Sequence, residues 1–466
     1  MAHLEALSGH YDVVVIGGGV VGCAVARRYA LAGRRTLLIE KAPDILSGAS
    51  KGNSALLHTG FDAPADSLEL WCMQAGYREF MAIKDRLNLP ILRTGAMVIA
   101  WNGDEREQLA AMADKARANG VADVRILDAA GVREREPALA PAQGALLVPG
   151  EHVIDPWSSP LAYARQAVAA GAWFAFDTEL LGGEAGGEGW TLRTSRGEVK
   201  AALTINCAGL YGDLVEQRLL GGASFSIKPR KGQFVVFDKP SSRLIQHIIL
   251  PVPNERTKGV VLSRTIFGNV LVGPTAEEQD DRTRATVNDE QLAQLIAQAG
   301  RLVPGLEQMP VSAVYAGLRP ATERKEYRVR FVPEQRYLVL GGIRSTGLTA
   351  ALGLAQHAWA LTEDGAPPVE ADAAGVEWPR VPNLAEHLPR DWSQPDHGDI
   401  VCHCEMVTRR EIEAALAGPL PARDLGGLKR RTRVCMGRCQ GFYCSASVAA
   451  MSAGKFDQPM AIGKNS

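Results

Sequence analysis

Tyr11-Asp-Val-Val-Val-Ile16, Gly17-Gly-Gly-Val-Val-Gly22 and Arg34-Arg-Thr-Leu-Leu-Ile-Glu40 decide the fold. The first run is short, apolar and β-branched, as suits a strand buried on both faces. Gly17, Gly19 and Gly22 follow it directly as G-x-G-x-x-G and open a helical pattern that runs through Ala32 to Gly33. A second strand then ends on Glu40. In such a unit the first glycine permits the sharp turn. The second lets backbone approach a pyrophosphate, and the third lets the helix pack closely on the strand. The helix N-terminus adds unpaired N–H groups and a positive dipole end for phosphates. Glu40 is placed to accept a hydrogen bond from a ribose hydroxyl. The unit predicts a dinucleotide site for NAD or FAD; a tight βα turn without a ligand is the plain alternative. Gly182–Gly189 is glycine-rich but follows no clean strand into a helix, so no second fingerprint is read. A single site favours FAD bound once, with a small-molecule reductant.

Around this unit the chain has 466 residues, which predicts two to four folded units. Hydrophobic residues make up 46% and charged residues 22%, so a disordered chain is excluded. Lys+Arg (51) and Asp+Glu (52) nearly cancel, so no nucleic-acid partner is expected. The opening MAHLEALSGHYD has no basic run and carries Glu5, unlike a signal peptide. No apolar run reaches the ~18 residues of a membrane span, which leaves peripheral membrane contact open.

Residues 80–145 read as helical and charged, as in Gly103–Asn119. A strand is expected at Ala202–Asn206, a strand-rich stretch at 225–275 and an amphipathic helix at Asp289–Leu302. Tyr337–Gly342 reads as a buried strand entering a glycine-rich turn and the helix Leu348–Leu361. Pro367, Pro368, Pro379, Pro382, Pro389 and Pro395 make 366–398 an expected extended linker. Beyond it a compact module is read at 399–455 and a tail at 456–466.

The cysteines are distributed unevenly. Cys23, Cys72 and Cys207 are scattered, whereas Cys402, Cys404, Cys435, Cys439 and Cys444 crowd the module, which suggests metal rather than a disulfide framework. Thr408-Arg-Arg-Glu411 reads as a capping box opening a helix that Gly418 and Pro419 stop. Four thiolates suit a [2Fe-2S] cluster or zinc. Zinc sites favour C-x-x-C pairs, and Cys402-His403-Cys404 departs from that. Cys439 and Cys444 also have the spacing of a redox disulfide. The basic run Lys429–Arg433 either offsets thiolate charge or forms a solvated helix face.

Further stretches carry a resemblance. Leu46-Ser-Gly-Ala-Ser-Lys-Gly-Asn-Ser-Ala-Leu-Leu-His-Thr-Gly60 resembles the segment that runs along the pyrophosphate to the isoalloxazine in flavoproteins of the D-amino-acid-oxidase-like superfamily. Within that superfamily it looks like the glycerol-3-phosphate and L-2-hydroxyglutarate dehydrogenase branch. Thr204-Ile-Asn-Cys-Ala-Gly209, Tyr315-Ala-Gly-Leu-Arg-Pro320 and Gly341-Gly-Ile-Arg-Ser-Thr-Gly-Leu-Thr349 resemble three more of its elements. The resemblance implies that FAD is held by Gly17, Gly19, Gly22, Glu40, Lys41, Ser50, Asn53, Ser54, Ala208, Gly209, Gly342, Gly347, Leu348 and Thr349.

Met436-Gly-Arg-Cys-Gln-Gly-Phe-Tyr-Cys444 is similar to the bacterioferritin-associated-ferredoxin type of [2Fe-2S] domain. The variant ending the large subunit of anaerobic glycerol-3-phosphate dehydrogenase looks nearest. By that match Cys402, Cys404, Cys439 and Cys444 are the ligands and Cys435 is not, with a C-x-x-x-C alternative open.

Three residues are expected to act on substrate. His58 would take the substrate hydroxyl proton, since imidazole titrates near neutrality; the alternatives are a covalent flavin link or a structural role. Arg319 is the residue type that forks onto a carboxylate or phosphate, and Arg344 is a second candidate. A surface ion pair is the plain alternative for each. Lys231 is read as a further anion contact or a solvated charge.

The resulting expectation is an α+β protein. A Rossmann-like FAD-binding domain (1–85, 145–215, 335–365) is interleaved with an antiparallel-sheet substrate domain (86–144, 216–334). A small C-terminal helical [2Fe-2S] module follows. The expected activity is a cytoplasmic FAD-dependent dehydrogenase acting on the CH–OH carbon of a small anionic substrate, of glycerol 3-phosphate or L-2-hydroxyglutarate type. Electrons would leave through the cluster to a partner subunit or quinone, with peripheral attachment to the inner face of the membrane open. Oxidation of an amine carbon (opine, D-amino acid or imino acid) is the rival chemistry. An electron-transfer subunit with a vestigial pocket is the rival of another class.

Overall fold

The computed structural model describes residues 9–253, 259–363, 375–457 and 460. Its first sheet is built on the glycine unit. The strand His10–Ile16 pairs in parallel with Thr36–Ile39 on one side and Gly197–Asn206 on the other. Trp173–Ala175 extends it beyond Thr36–Ile39, and Tyr337–Gly341 beyond Gly197–Asn206, again in parallel. Every position of Thr36–Ile39 and Tyr337–Gly341 is buried. That burial on both faces follows from their unbroken apolar sequence. Helices Val20–Leu31, Leu68–Leu87, Ser158–Ala169 and Gly347–Thr362 contribute to one core with this sheet. Gly182–Gly189 falls in an antiparallel hairpin, Leu180–Gly186 with Gly189–Thr194.

The second sheet is mostly antiparallel. The long strand Ile227–Phe237 pairs along most of its length with Val311–Thr322, and its other edge carries Val270–Gly273 and Glu277–Glu278. Val261–Arg264, Ile248–Pro251, Ala96–Ala100, Gly144–Val148 and Arg125–Asp128 complete it. Helix Asp289–Leu302 packs on it, capped by the Asn288 side chain on the Gln291 N–H. Region 80–145, expected to be helical, thus holds three strands of this sheet beside helix Gly103–Ala118. Ala96-Met-Val-Ile-Ala100 is wholly buried, and a short apolar run of that kind has no period by which a strand differs from a buried helical turn. Strand Arg328–Val332 pairs with Tyr337–Gly341 in the first sheet.

Pro367 and Pro368, most of the 456–466 tail and the first eight residues lie outside the described residues. From residue 375 the proline-bearing stretch is irregular but packed. Glu377 O accepts from Gln166, Val381 N–H donates to Leu87 O and Glu386 N–H donates to Ile266 O, with Leu384 and Ala385 buried. The module then forms the hairpin Ile400–Cys402 with Val407–Thr408 and the helices Arg409–Ala415, Leu425–Thr432 and Ser445–Ser452. Both bonds of the Thr408–Glu411 capping box are present. Among the described residues no helix is long and apolar enough to cross a membrane.

Gly22 is where packing tolerates least. A Cβ there would stand 1.9 Å from the Gly17 carbonyl oxygen, a backbone atom that cannot swing aside. Gly22→Ala should therefore lift the helix off its turn, costing about 1–3 kcal/mol as other overpacked sites do. A lowered melting temperature together with reduced FAD content after purification is the expected result; an unchanged FAD content would contradict it.

Candidate active site and cysteine module

A cavity of about 560 Å³ opens between the two sheets, within the usual size range of small-molecule sites. From the first domain it is lined by Gly17, Gly19, Glu40, Lys41, Ser50, Asn53, Ser54, Ala208, Gly209, Gly342, Gly347 and Leu348. Gly17 has φ +109, and a Cβ there would stand 2.6 Å from the Cys207 carbonyl oxygen. Glu40 accepts the Gly18 N–H at 2.6 Å and the Ala42 N–H at 2.9 Å. Burial pushes its carboxyl up in spite of these donors. Ser50 Oγ accepts the Val20 N–H at 3.1 Å, at the first turn of the glycine helix. The Lys41 ammonium lies 3.2 Å from the centroid of the Tyr211 ring, another lining residue. The buried Asn206 amide holds Ala208 in place, accepting from its N–H and donating to Gly212 O and Tyr337 Oη.

Arg319 and Arg344 line the same cavity. The Arg319 side chain crosses above Gly232, where a Cβ would meet Nη2 at 2.5 Å. It donates to the carbonyls of Arg230, Lys231 and Thr275, the last at 2.7 Å. Burial, then the neighbouring guanidiniums of Arg230 and Arg344, pull it down to about 10, which leaves it charged at neutral pH. Arg344 is lowered by burial and by Arg230, with Glu69 and Glu278 opposing. Arg230 stands opposite Arg319 in the strand register, and its Nε is buried without a hydrogen-bond partner among the described residues. Sequence reasoning passed over Arg230 in favour of Lys231, which pairs with Glu277 at 3.2 Å. The cross-strand register that distinguishes the two is not visible in a single strand's sequence.

Two expected residues, His58 and Thr349, stand behind the lining. The His58 N–H donates to Thr349 Oγ1 at 3.0 Å, and its Nδ1 lies 2.8 Å from Glu151 Oε2. Glu151 is fully buried and also takes the Thr59 N–H at 2.6 Å and hydroxyl at 2.7 Å. No sequence signal marked Glu151; it precedes a three-residue strand, His152–Ile154, and meets His58 only in the fold.

In the module the thiols form two sets. Cys402 and Cys444 hydrogen-bond each other, with Cys435 Sγ 3.4 Å from Cys444 Sγ, and Cys404 bonds Cys439. No group that would hold a single metal ion is formed among the described residues. Two separate sets of thiols, Cys402 and Cys444 with Cys435, and Cys404 with Cys439, suit the two irons of a [2Fe-2S] cluster. The N–H of Tyr443, with those of Gly441 and Phe442, holds Cys439 below the usual thiol range. Such donors are what a cluster sulfur uses. Burial pushes Cys402 and Cys444 up to about 11, so loading iron there must release protons.

Most of the basic run is engaged away from the thiols, although the Lys429 charge favours the Cys435 thiolate. Arg431 forks onto Asp44 of the cofactor loop at 2.6 and 2.8 Å, and Arg430 donates to Ile45 O. Arg433 pairs with Glu405 at 2.8 Å. Gln440 reaches Ser312 O at 3.0 Å, and Arg438 pairs with Asp238. The module is thus docked on both domains.

Comparison with known proteins agrees with this geometry. Residues 12–361 match the model of the FAD dependent oxidoreductase family, and residues 400–451 match the BFD-like [2Fe-2S] binding domain. The chain is 31% identical to a glycerol 3-phosphate dehydrogenase of Caloramator mitchellensis, covering 95% of this chain and 94% of that one. It is 29% identical to an L-2-hydroxyglutarate dehydrogenase of Escherichia coli K12 over 57% of this chain and 64% of that one. A structure of FAD-bound L-α-glycerophosphate oxidase from Mycoplasma pneumoniae superposes with a TM-score of 0.71 at 26% identity, covering 76% of this chain and 95% of the other. A glycine oxidase of Geobacillus kaustophilus, 24% identical with a TM-score of 0.69 over 80% of this chain and all of the other, shares the fold. The chain therefore belongs to the FAD-dependent oxidoreductase family, with a BFD-like [2Fe-2S] domain carried at its C-terminal end.

Proposed function

We propose that this oxidoreductase is a dehydrogenase that removes hydride from the CH–OH carbon of a small anion of glycerol 3-phosphate or L-2-hydroxyglutarate type. The observation that carries the reading is the cavity's cationic wall, Arg319 and Arg344, with Arg230 beside it: burial and the charges of Arg230 and Arg344 lower Arg319, and burial and Arg230 lower Arg344, which Glu69 and Glu278 partly offset. A bound phosphate or carboxylate would supply the missing negative charge in a bidentate fit that suits guanidinium.

FAD supplies the hydride acceptor. The chain supplies position and proton transfer. Arg319 and Arg344 orient the anion, and His58, standing behind the lining, takes the hydroxyl proton by way of one water. Its Nδ1–H donates to Glu151, which leaves Nε2 as the basic nitrogen. The ligand set for the cluster is Cys402 and Cys444 with Cys404 and Cys439. Cys435 is held at φ 62 beside Cys444 and stays outside the set. A cluster bound there would pass the electrons to a partner subunit or to a quinone, and a quinone acceptor would bring the protein to the inner face of the membrane by peripheral contact.

The test is anaerobic bleaching of the bound flavin by a panel of glycerol 3-phosphate, L-2-hydroxyglutarate, other hydroxy acids and amino acids. Bleaching by one of the phosphate or hydroxy-acid members is expected. Bleaching by amino acids alone would replace the reading with amine oxidation, and bleaching by none would leave an electron relay with a disused pocket.

A further inference from the structure

A stack of three side chains from distant parts of the chain lies between the cofactor loop and the cysteine module. Trp157 begins the helix Ser158–Ala169, and its indole N–H donates to Lys51 O at 3.2 Å, within the loop that lines the cavity. The indole lies on Phe267 with centroids 5.4 Å apart and planes 14° from parallel. Phe267 is buried in the turn between Val261–Arg264 and Val270–Gly273 of the substrate sheet. The Arg433 guanidinium covers that ring, its carbon 3.9 Å from the centroid. Arg433 also donates to Glu405, the residue directly after Cys404.

A merely space-filling contact would not need these groups. Aliphatic side chains fill an interdomain seam without burying a guanidinium between a ring and a carboxylate. What the stack provides is a continuous run of delocalised π-electrons in van der Waals contact. Offset stacking and cation–π attraction hold it closed. Electron tunnelling falls steeply across gaps and is least hindered through closely packed unsaturated groups. At its two ends Trp157 donates to Lys51, which lines the FAD cavity, and Arg433 donates to Glu405, which follows Cys404. A bound flavin would take up two electrons with the hydride and release them one at a time to a [2Fe-2S] centre, which accepts them singly, so internal transfer must occur twice for each turnover.

We infer that Trp157, Phe267 and Arg433 form the bridge by which electrons pass from flavin to cluster. Each passage would oxidise the reduced isoalloxazine by one electron and reduce one ferric iron to ferrous; the cluster would pass that electron to its acceptor before the second passage, and the flavin's N5 proton would go to solvent once both electrons have left. The bridge depends on the two cofactors and not on the substrate's identity, so its test supplies electrons by light.

The anaerobic holoenzyme is flash-photoreduced in the presence of EDTA. Flavin reoxidation is followed by absorbance and cluster reduction by freeze-quench electron paramagnetic resonance, in variants with matched FAD and iron contents. Phe267→Leu and Trp157→Leu should slow internal transfer about ten-fold, equivalent to about 1.4 kcal/mol of added barrier. Trp157→Phe, which keeps a ring on Phe267, should remain near the wild-type rate. An unchanged rate in Phe267→Leu, or Trp157→Phe as slow as Trp157→Leu, would overturn the inference. The second result would mean that bulk and the indole hydrogen bond, rather than an unbroken π path, are what the site requires. If Phe267→Leu loses a cofactor, the Trp157 pair decides alone.

Discussion

Arg319→Leu should abolish useful recognition of an anionic substrate while leaving the flavin in place. The guanidinium reaches the cavity over Gly232 and is held by three backbone carbonyls, so its direction is set before substrate arrives. Truncating one partner of a desolvated charge pair costs about 2–5 kcal/mol. That corresponds to a loss of roughly 30- to 5,000-fold in kcat/KM, appearing chiefly as a raised KM. Arg319→Lys should recover little, because an ammonium cannot fork onto two oxygens from that position. The control is the uncharged analogue: with glycerol in place of glycerol 3-phosphate, wild type and Arg319→Leu should be similarly poor. Should the variant lose activity equally on charged and uncharged alcohols, Arg319 would be supporting the cavity rather than reading the anion.

Why Arg319 was legible and Arg230 was not is a matter of distance along the chain. Local rules reach a few residues. They suffice for the Thr408–Glu411 capping box, for the Asn288-capped helix and for the glycine turn, each closed by contacts near in sequence. Arg319 stood out because Gly-Leu-Arg-Pro resembles a known element. Arg230 acquires meaning only when its strand is laid against Val311–Thr322. Glu151 likewise meets His58 across the fold, with nothing in its own neighbourhood to announce it.

The same limit governed the module. Its cysteines and caps were readable, yet its placement was not. Lys429–Arg433 offered the sequence two readings, counter-charge or solvated face, because a basic run carries no mark of its acid. The acids are Asp44, far away in the cofactor loop, and Glu405. Within the described residues 375–398 the only regular element is the short 3-10 helix Asp391–Ser393, but irregular is not loose. Pro cannot join a ladder, and a chain without ladders can still bury Val381, Leu384 and Ala385 against a neighbour. A docked module has a consequence for electron flow that a swinging one lacks: the separation of the two redox sites is fixed by packing.

Asp44→Ala should show how much of that fixity rests on one ion pair. Asp44 is fully buried and Arg431 nearly so, and the two meet in a bidentate fork. Removing the carboxylate strands a buried guanidinium, which costs about 3–5 kcal/mol, more than the pair itself contributes to stability. The loop suffers too, since Asp44 Oδ1 also accepts the Ile45 N–H and the next residue, Leu46, donates its N–H to Gly18 O beside the glycine turn. The expected result is a module that comes free of the FAD domain, seen as faster proteolysis within 375–398, together with weaker FAD retention. Asp44→Ala combined with Arg431→Met should be more stable than Asp44→Ala alone, because the second change removes the stranded charge. Coupling between contacting residues of this kind is about 0.5–3 kcal/mol. If the single and double variants melt together, with proteolysis unaltered, the fork does not hold the module. The docking would then rest on the Arg438–Asp238 and Gln440–Ser312 contacts, and the cofactor loop would be independent of the cluster domain.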